Sequence, residues 1–423
     1  MKFWIIMNKI YALIFCLIIS NNISFGQIGT SSPYSRYGIG DFQFIASSQY
    51  NALSGAITAF SDPTYINPHN PSTYIDYGPN SFLFTTGLRH RIIKMQNLTE
   101  EQLTHNTTFS HLNLGFPITK RIGASVGLLP FSDIGYEFEN TNSINNSTSI
   151  YYGDGGLSKI YFGGAYKVNS NFSIGINASY VFGGLNRRKK IIFNDNSFLN
   201  SRSNSQINLQ GYYYEIGLLY KRDLSDNKKV SFGLVSTNSA EIRAKKNEIV
   251  ESFVNTGILE TPKDTAINIT DWGFLNLPQN IRIGFSYQDG NKFLFLTDYN
   301  LFNWSNYKLF NENDNLINSS NFSLGVQYTP KYNSVTQYYK RIEYRIGCSF
   351  GNLPLEFENT TLPDKSISLG FGLPYKKSRT KYDLSLILGE RGTTDNNLIK
   401  EQYVKLGLTI SYDGIWFVKR KYD

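Results

Sequence analysis

Charged side chains that recur at every second position are the residues of this chain with the clearest chemical potential. Arg341, Glu343 and Arg345 alternate with Ile342, Tyr344 and Ile346, so in an extended segment they share one face. The same parity places Arg282, Asp298 and Lys405 on such faces, with Arg89, His111, Asn113, Lys159, Asn177, Glu215, Gln327 and Asp383. Opposite charges gathered on one enclosed side form ion pairs, because an unpaired buried charge is costly. Mixed signs favour structural pairing over a single-sign conducting stripe, although a polar path or ligand site uses the same groups.

Other chemistry is thinly represented. His69, His90, His105 and His111 lack metal-ligand spacing, the carboxylates are scattered, and no catalytic set or cofactor site is assigned. The expectation is a non-enzyme. The run Arg187, Arg188, Lys189 and Lys190 is basic enough to meet phosphates. An export signal removes nucleic acid as a partner, which leaves two equal readings: contact with lipopolysaccharide phosphates above the outer leaflet, or a plain solvated loop.

The elements that must carry these residues are strands. From Arg341 to Phe350 the apolar set Ile342, Tyr344, Ile346, Cys348 and Phe350 opposes Arg341, Glu343, Arg345, Gly347 and Ser349. One face therefore meets something apolar and the other something wet. About ten residues is the length of a tilted strand crossing a bilayer. Candidates with this pattern fall at 80–89, 107–116, 121–130, 157–168, 171–182, 210–221, 228–236, 280–288, 291–300, 320–329, 340–350, 366–373, 381–389 and 402–412. Fourteen strands predict an all-β, antiparallel transmembrane barrel over 80–412.

Connections alternate in length, with 330–339 the one somewhat long inner turn. Pro117 to Lys120, Asn169 to Ser170, Asp223 to Ser225, Asp289 to Gly290 and Tyr375 to Lys377 are short; 90–106, 131–156, 183–209, 237–279, 301–319, 351–365 and 390–401 are long. Bacterial barrels keep short turns in the periplasm and long loops outside. Both mature termini are then periplasmic, and the protein is integral to the outer membrane among its lipids and lipopolysaccharide.

The ends agree. Lys2, Lys9, the apolar run from Ile10 to Ile19 and a small residue at Gly26 predict a signal peptide over 1–26. No later run approaches the length of a spanning helix. Removing the signal leaves Cys348 as the sole cysteine, on an apolar face. Residues 413–423 form a basic periplasmic tail with Lys419, Arg420 and Lys421, and Trp416 and Phe417 fall where aromatic girdles flank the apolar band.

A lumen of fourteen strands is too wide for wall side chains alone to fill. Residues 27–79 precede the first strand and carry Tyr34, Tyr37, Ile39, Phe42, Phe44 and Tyr50. That is too many apolar anchors for a disordered tail, so the segment is expected to plug the barrel.

Ala52, Gly55, Ala56 and Ala59, then Asp62 and Asn67-Pro68, resemble the N-terminal hatch of the long-chain fatty-acid transporter (FadL/OMPP1) family of outer-membrane barrels. The resemblance implies fourteen strands and an N-terminal plug, with Gly55, Ala56, Asp62, Asn67 and Pro68 as its motif. Ser32 to Asp41 is similar to the start of members from Bacteroidota, where related barrels include accessory subunits of secretion machinery. There are departures: His69, Asn70 and Pro71 follow Asn67-Pro68 where the family has Ala, and the loops are polar where fatty-acid carriers have an apolar ligand trap.

Two functions follow from the resemblance. One is a plugged channel for passive uptake of a small hydrophobic or amphipathic compound. The alternative is a non-transporting barrel subunit, bound to other outer-membrane proteins in a larger secretion or assembly complex.

Overall fold

The computed structural model describes residues 30–43, 47–142, 146–195, 197–255, 259–375 and 379–416. The signal peptide, Phe44, Phe417 and the basic residues 419–421 lie outside these. Alternating side chains produce sixteen strands of ten or more residues. In chain order they are β1 (Ser81–Gln96), β2 (Glu101–Thr119), β3 (Ile122–Asn142), β4 (Ser147–Lys167), β5 (Phe172–Phe193) and β6 (Asn200–Ser225). There follow β7 (Lys228–Thr237), β8 (Ala240–Asn255), β9 (Glu260–Leu277), β10 (Asn280–Asp289) and β11 (Phe293–Phe302). The last five are β12 (Ser319–Tyr328), β13 (Glu343–Phe357), β14 (Thr360–Pro374), β15 (Lys381–Arg391) and β16 (Lys400–Ile415).

Fourteen of them close a ring. β7 pairs directly with β10, from Ile281 opposite Ser236 to Asp289 opposite Lys228. β16 returns to β1, from Ile415 opposite Ser81 to Lys400 opposite Gln96. Every neighbour in the ring is antiparallel. Closure satisfies backbone groups that lipid cannot. Ile174 and Ile176 of β5, Tyr212, Tyr214 and Ile216 of β6, and Ile367, Leu369 and Phe371 of β14 are exposed on the outside, as an apolar belt requires. No helix of the described residues is long and apolar enough to cross a membrane.

The long connections differ from the expectation. Residues 90–106, 131–156 and 183–209 are mostly strand, because β1 to β6 run well past the bilayer length; β5 has 22 residues and β6 has 26. The 237–279 connection is the hairpin β8–β9, whose first strand pairs with residues 200–210 of β6. Pairing continues past the belt because Leu185, Ile207, Leu209 and Ile242 on the inward face of the extended strands pack into one buried apolar cluster, which holds neighbouring strands together. Arg341 is corrected as well: it ends a 3-10 helix, Tyr338–Arg341, and strand pairing begins only at Glu343. Asp413–Ile415, expected in the tail, extend β16.

Residues 47–77 lie inside the ring. A helical turn, Ser48–Asn51, packs on β14, β15 and β16, and a 3-10 helix, Pro71–Asp76, packs across β2 to β6. Wall glycines allow the approach: a Cβ on Gly123 would run into the Tyr74 carbonyl, and one on Gly175 into Pro71.

The belt has a testable edge. Ile176→Arg, in the belt, is expected to cost about 2–4 kcal/mol of unfolding free energy in lipid vesicles. Asn208→Arg, beyond it, is expected to cost less than about 0.5 kcal/mol. Urea titrations of the two variants check this.

Candidate functional site

The interior site is the contact between the inner segment and the wall. Gly55 adopts φ +82° and its N–H donates to the Tyr50 carbonyl at 3.1 Å, ending the helical turn in the left-handed region that glycine tolerates. The chain then turns so that the N–H groups of Ile57 and Thr58 both donate to one Asp298 oxygen of β11, at 2.9 and 2.8 Å. Ala56 beside them is fully buried.

Asn67 closes the next loop. Its side-chain amide donates to the Ile57 and Phe60 carbonyls at 2.9 and 3.0 Å, and its oxygen accepts the His69 N–H at 3.1 Å. Asp62 accepts from the Thr64 N–H at 2.8 Å and hydroxyl at 2.6 Å, fixing the intervening turn. The Pro68 carbonyl accepts from Asn177 of β5 at 2.8 Å. Asn70 caps the 3-10 helix through the Ser72 N–H at 3.2 Å and holds the Thr58 carbonyl at 2.6 Å.

Charge pairing surrounds this segment. Arg345 contacts Asp383 at 2.6 Å and also bonds Glu343; Lys381 reaches Glu343 at 2.6 Å. The Tyr65 hydroxyl lies 2.9 Å from Asp383 and 3.1 Å from Glu343, and accepts from Arg345 at 3.0 Å. A second group joins Glu215 to Lys159 at 2.7 Å and Arg282 at 3.1 Å. A third joins Asp41 to Arg91 at 2.8 Å and Arg391 at 2.7 Å, while Arg391 also pairs with Glu401. Burial raises the Asp41 carboxyl, but Arg391 and Arg91 outweigh it and hold the group well below the usual carboxylate range. Burial lifts the Tyr65 hydroxyl far above 10. His69 is held well below its ordinary value by burial, reinforced by Arg282 and Lys159.

Two cavities flank the segment and share no lining residue. Toward the long-strand end, about 260 Å³ lies between Phe42, Trp304 and Leu316 on one side and Arg91, Arg391 and Lys405 on the other. The Lys405 ammonium stands 4.3 Å from the Tyr403 ring centre. Toward the short-turn end, about 370 Å³ is bordered by Asp62, Asp76, Lys221 and Lys381. Fully buried Tyr50, Leu53, Ile57, Ile66 and Tyr74 separate the two. Among the described residues no cluster suits a metal ion.

Of the residues chosen by parity, Glu343 and Arg345 meet in one network, Arg282 belongs to another, Asp298 grips the inner segment and Lys405 faces a cavity. Arg341 is apart, on its 3-10 helix. Asp41, Tyr65, Arg91, Lys381, Arg391 and Glu401 were missed. Arg91, Arg391 and Glu401 fall just past the predicted strand ends; continuing the alternation by two residues reaches them. The sequence reading also passed over two G-x-S-x-G spacings, at 123–127 and 347–351. Both lie within strands, not at the strand-to-helix turn of a nucleophile elbow, and the Ser125 hydroxyl donates to the Leu114 carbonyl at 2.8 Å.

A closed fourteen-stranded wall with an apolar belt and an N-terminal segment in its lumen defines a plugged outer-membrane β-barrel. The chain belongs to the BamG family, whose model matches residues 6–423. No curated protein matches it. Among solved structures, it is similar to the CymD monoaromatic hydrocarbon channel, at 17% identity and TM-score 0.57, covering 87% of this chain and 97% of that one. The Pseudomonas putida toluene transporter TodX matches at 13% identity and TM-score 0.58, over 88% and 99%. A Pseudomonas aeruginosa FadL homologue matches at 10% identity and TM-score 0.58, over 88% and 100%. At these identities the likeness is one of fold.

Two outcomes are expected. Asp298→Ala leaves the Ile57 and Thr58 N–H groups buried without an acceptor, costing about 2–5 kcal/mol, and should open the 47–77 segment to protease while the barrel stays folded. The folded state keeps His69 neutral, so the unfolded state binds the extra proton below about pH 6.5. Stability therefore falls as pH drops through that value, and His69→Gln should flatten this part of the unfolding free-energy profile.

Proposed function

We propose that the protein is a plugged outer-membrane channel for passive uptake of a small hydrophobic or amphipathic compound, with its long strands outside and both mature termini in the periplasm. The cavity at the long-strand end carries the proposal. It ends on the inner segment, its size is near the lower range of small-molecule sites, and its lining divides into aromatic and cationic sides. Lys405 makes no ion pair among the described residues, so a polar or anionic head group would sit there with its apolar body on Phe42 and Trp304. The hydrocarbon and toluene transport named for structural neighbours supports this reading. Gly55, Ala56, Asp62, Asn67 and Pro68 form the hatch, which shifts to join the two cavities.

A second reading rests on a different observation. From Glu260 to Thr270, β9 pairs on one edge with β8, while its other edge has no strand partner among the described residues. An open edge invites pairing with another chain. Under this reading the barrel is a fixed subunit of a larger outer-membrane assembly and the plug never moves.

A cross-link separates the readings. Ser54 of the plug and Ser368 of β14 have hydroxyls 2.7 Å apart. In a Cys348→Ser background, oxidised Ser54→Cys/Ser368→Cys should abolish uptake of small aromatic compounds into vesicles, and reduction should restore it. No uptake in either state, with stoichiometric proteins retained on purification from native membranes in mild detergent, would replace the channel with the subunit.

A further inference from the structure

Beyond the apolar belt, the outward face of β5, β6, β8 and β9 becomes mainly polar, with Trp272 and Phe274 at its foot and Ile249 among its upper rows. Side chains change abruptly on β6: Ile216, Tyr214 and Tyr212 point outward below, and Gln210, Asn208 and Gln206 point outward above. β5 changes alongside, from Tyr180 and Phe182 to Asn186 and Arg188. Strand pairing aligns four-residue rows over this boundary. Phe182, Gln210, Arg243 and Phe274 form the lowest, and Gly184, Asn208, Lys245 and Trp272 the next. Above them come Asn186, Gln206, Asn247 and Thr270, then Arg188, Asn204, Ile249 and Asn268.

Two features set the chemistry of this surface. Arg188, Arg243 and Lys245 face outward without an ion-pair partner among the described residues, whereas Lys190 and Arg202 higher up are neutralised by Glu260 and Glu251. Between the free cations stand side-chain amides, which donate and accept in the pattern that vicinal sugar hydroxyls require. A groove of about 520 Å³ runs through the upper rows. Aromatic rings lie at its foot, with Tyr180 and Tyr212 at 5.5 Å and Lys245 5.2 Å from the Trp272 ring centre. The four rows climb roughly 20 Å along the strand, at about 3.3 Å per residue, more than the depth of a phospholipid headgroup layer.

We propose that this face binds the phosphorylated sugar head of an outer-leaflet glycolipid. Phosphates meet Arg188, Arg243 and Lys245, sugars meet the amide rows, and acyl chains lie along the aromatic belt beneath. The proposal rests on the orientation given above, with the long strands outside.

The test uses the full barrel in detergent, titrated with rough lipopolysaccharide and read by native mass spectrometry. The triple variant Arg188→Gln/Arg243→Gln/Lys245→Gln should weaken binding about tenfold or more, as loss of several charge-assisted contacts implies, and dephosphorylated glycolipid should bind the unchanged protein with a similar loss. Unchanged binding by a folded variant overturns the proposal. So does equal binding of phosphatidylglycerol, or displacement by millimolar inorganic phosphate, since either source would replace the glycolipid. Orientation is read separately: Asn268→Cys in a Cys348→Ser background should react with an impermeant maleimide on intact cells. Labelling without glycolipid binding sinks this proposal and leaves the orientation standing; absence of labelling sinks the orientation and this proposal with it.

Discussion

Closure of the hydrogen-bonded wall is the constraint on which everything else depends. In hydrocarbon an open sheet edge leaves a row of N–H and C=O groups unsatisfied, so β16 must find β1 before the barrel can sit in a membrane. Once the ring is closed, its circumference is set. Fourteen strands enclose more space than their own inward side chains fill, and that surplus creates the need for the inner segment.

Filling the lumen with polypeptide raises an electrostatic problem that the structure solves locally. Inward positions carry many charges because they face the wet side of each strand, yet the segment excludes much of the water that would have solvated them. Each principal group is therefore matched: Glu215 by two cations, Arg345 by two carboxylates, Asp41 by two arginines. Such pairs contribute little net stability but penalise loss of one partner heavily. They act as registration marks, holding the segment in one place more than they strengthen the barrel. Lys405 departs from this rule: it lines the cavity opposite Phe42 and Trp304 and makes no ion pair among the described residues.

The legible part of the fold was the part with a simple period. Each of the fourteen ring strands contains most of a predicted segment, because the two-residue repeat reports directly which face meets lipid. Strand ends were not legible: beyond the belt the outward face turns polar while the inward face turns apolar, with Leu185, Ile207, Leu209 and Ile242 in a buried cluster, so the pattern reverses phase, and β6 then continues to Asn200 through a wholly polar run. The hairpin β8–β9 was hidden for the same reason, with Lys245, Lys246, Asn247 and Glu248 in succession. Arg341 was misplaced because the alternation of Ile342 and Tyr344 continues backward into a helical turn that obeys other geometry. Within the lumen, parity identified Glu343 and Arg345 but not Tyr65 or Asp41, whose positions depend on a segment with no period at all.

The order in which the chain is made bears on how this barrel assembles. The plug residues emerge first, yet their partners arrive late: Ser48 bonds to Thr409, 361 positions downstream, and Ser32 to Glu401, 369 positions downstream. Contacts of such separation form slowly. Until the final strand docks, the earliest part of the molecule lacks its partners. Seating of that segment and completion of the wall are thus coupled: a ring that shut before it was in place would be an empty cylinder.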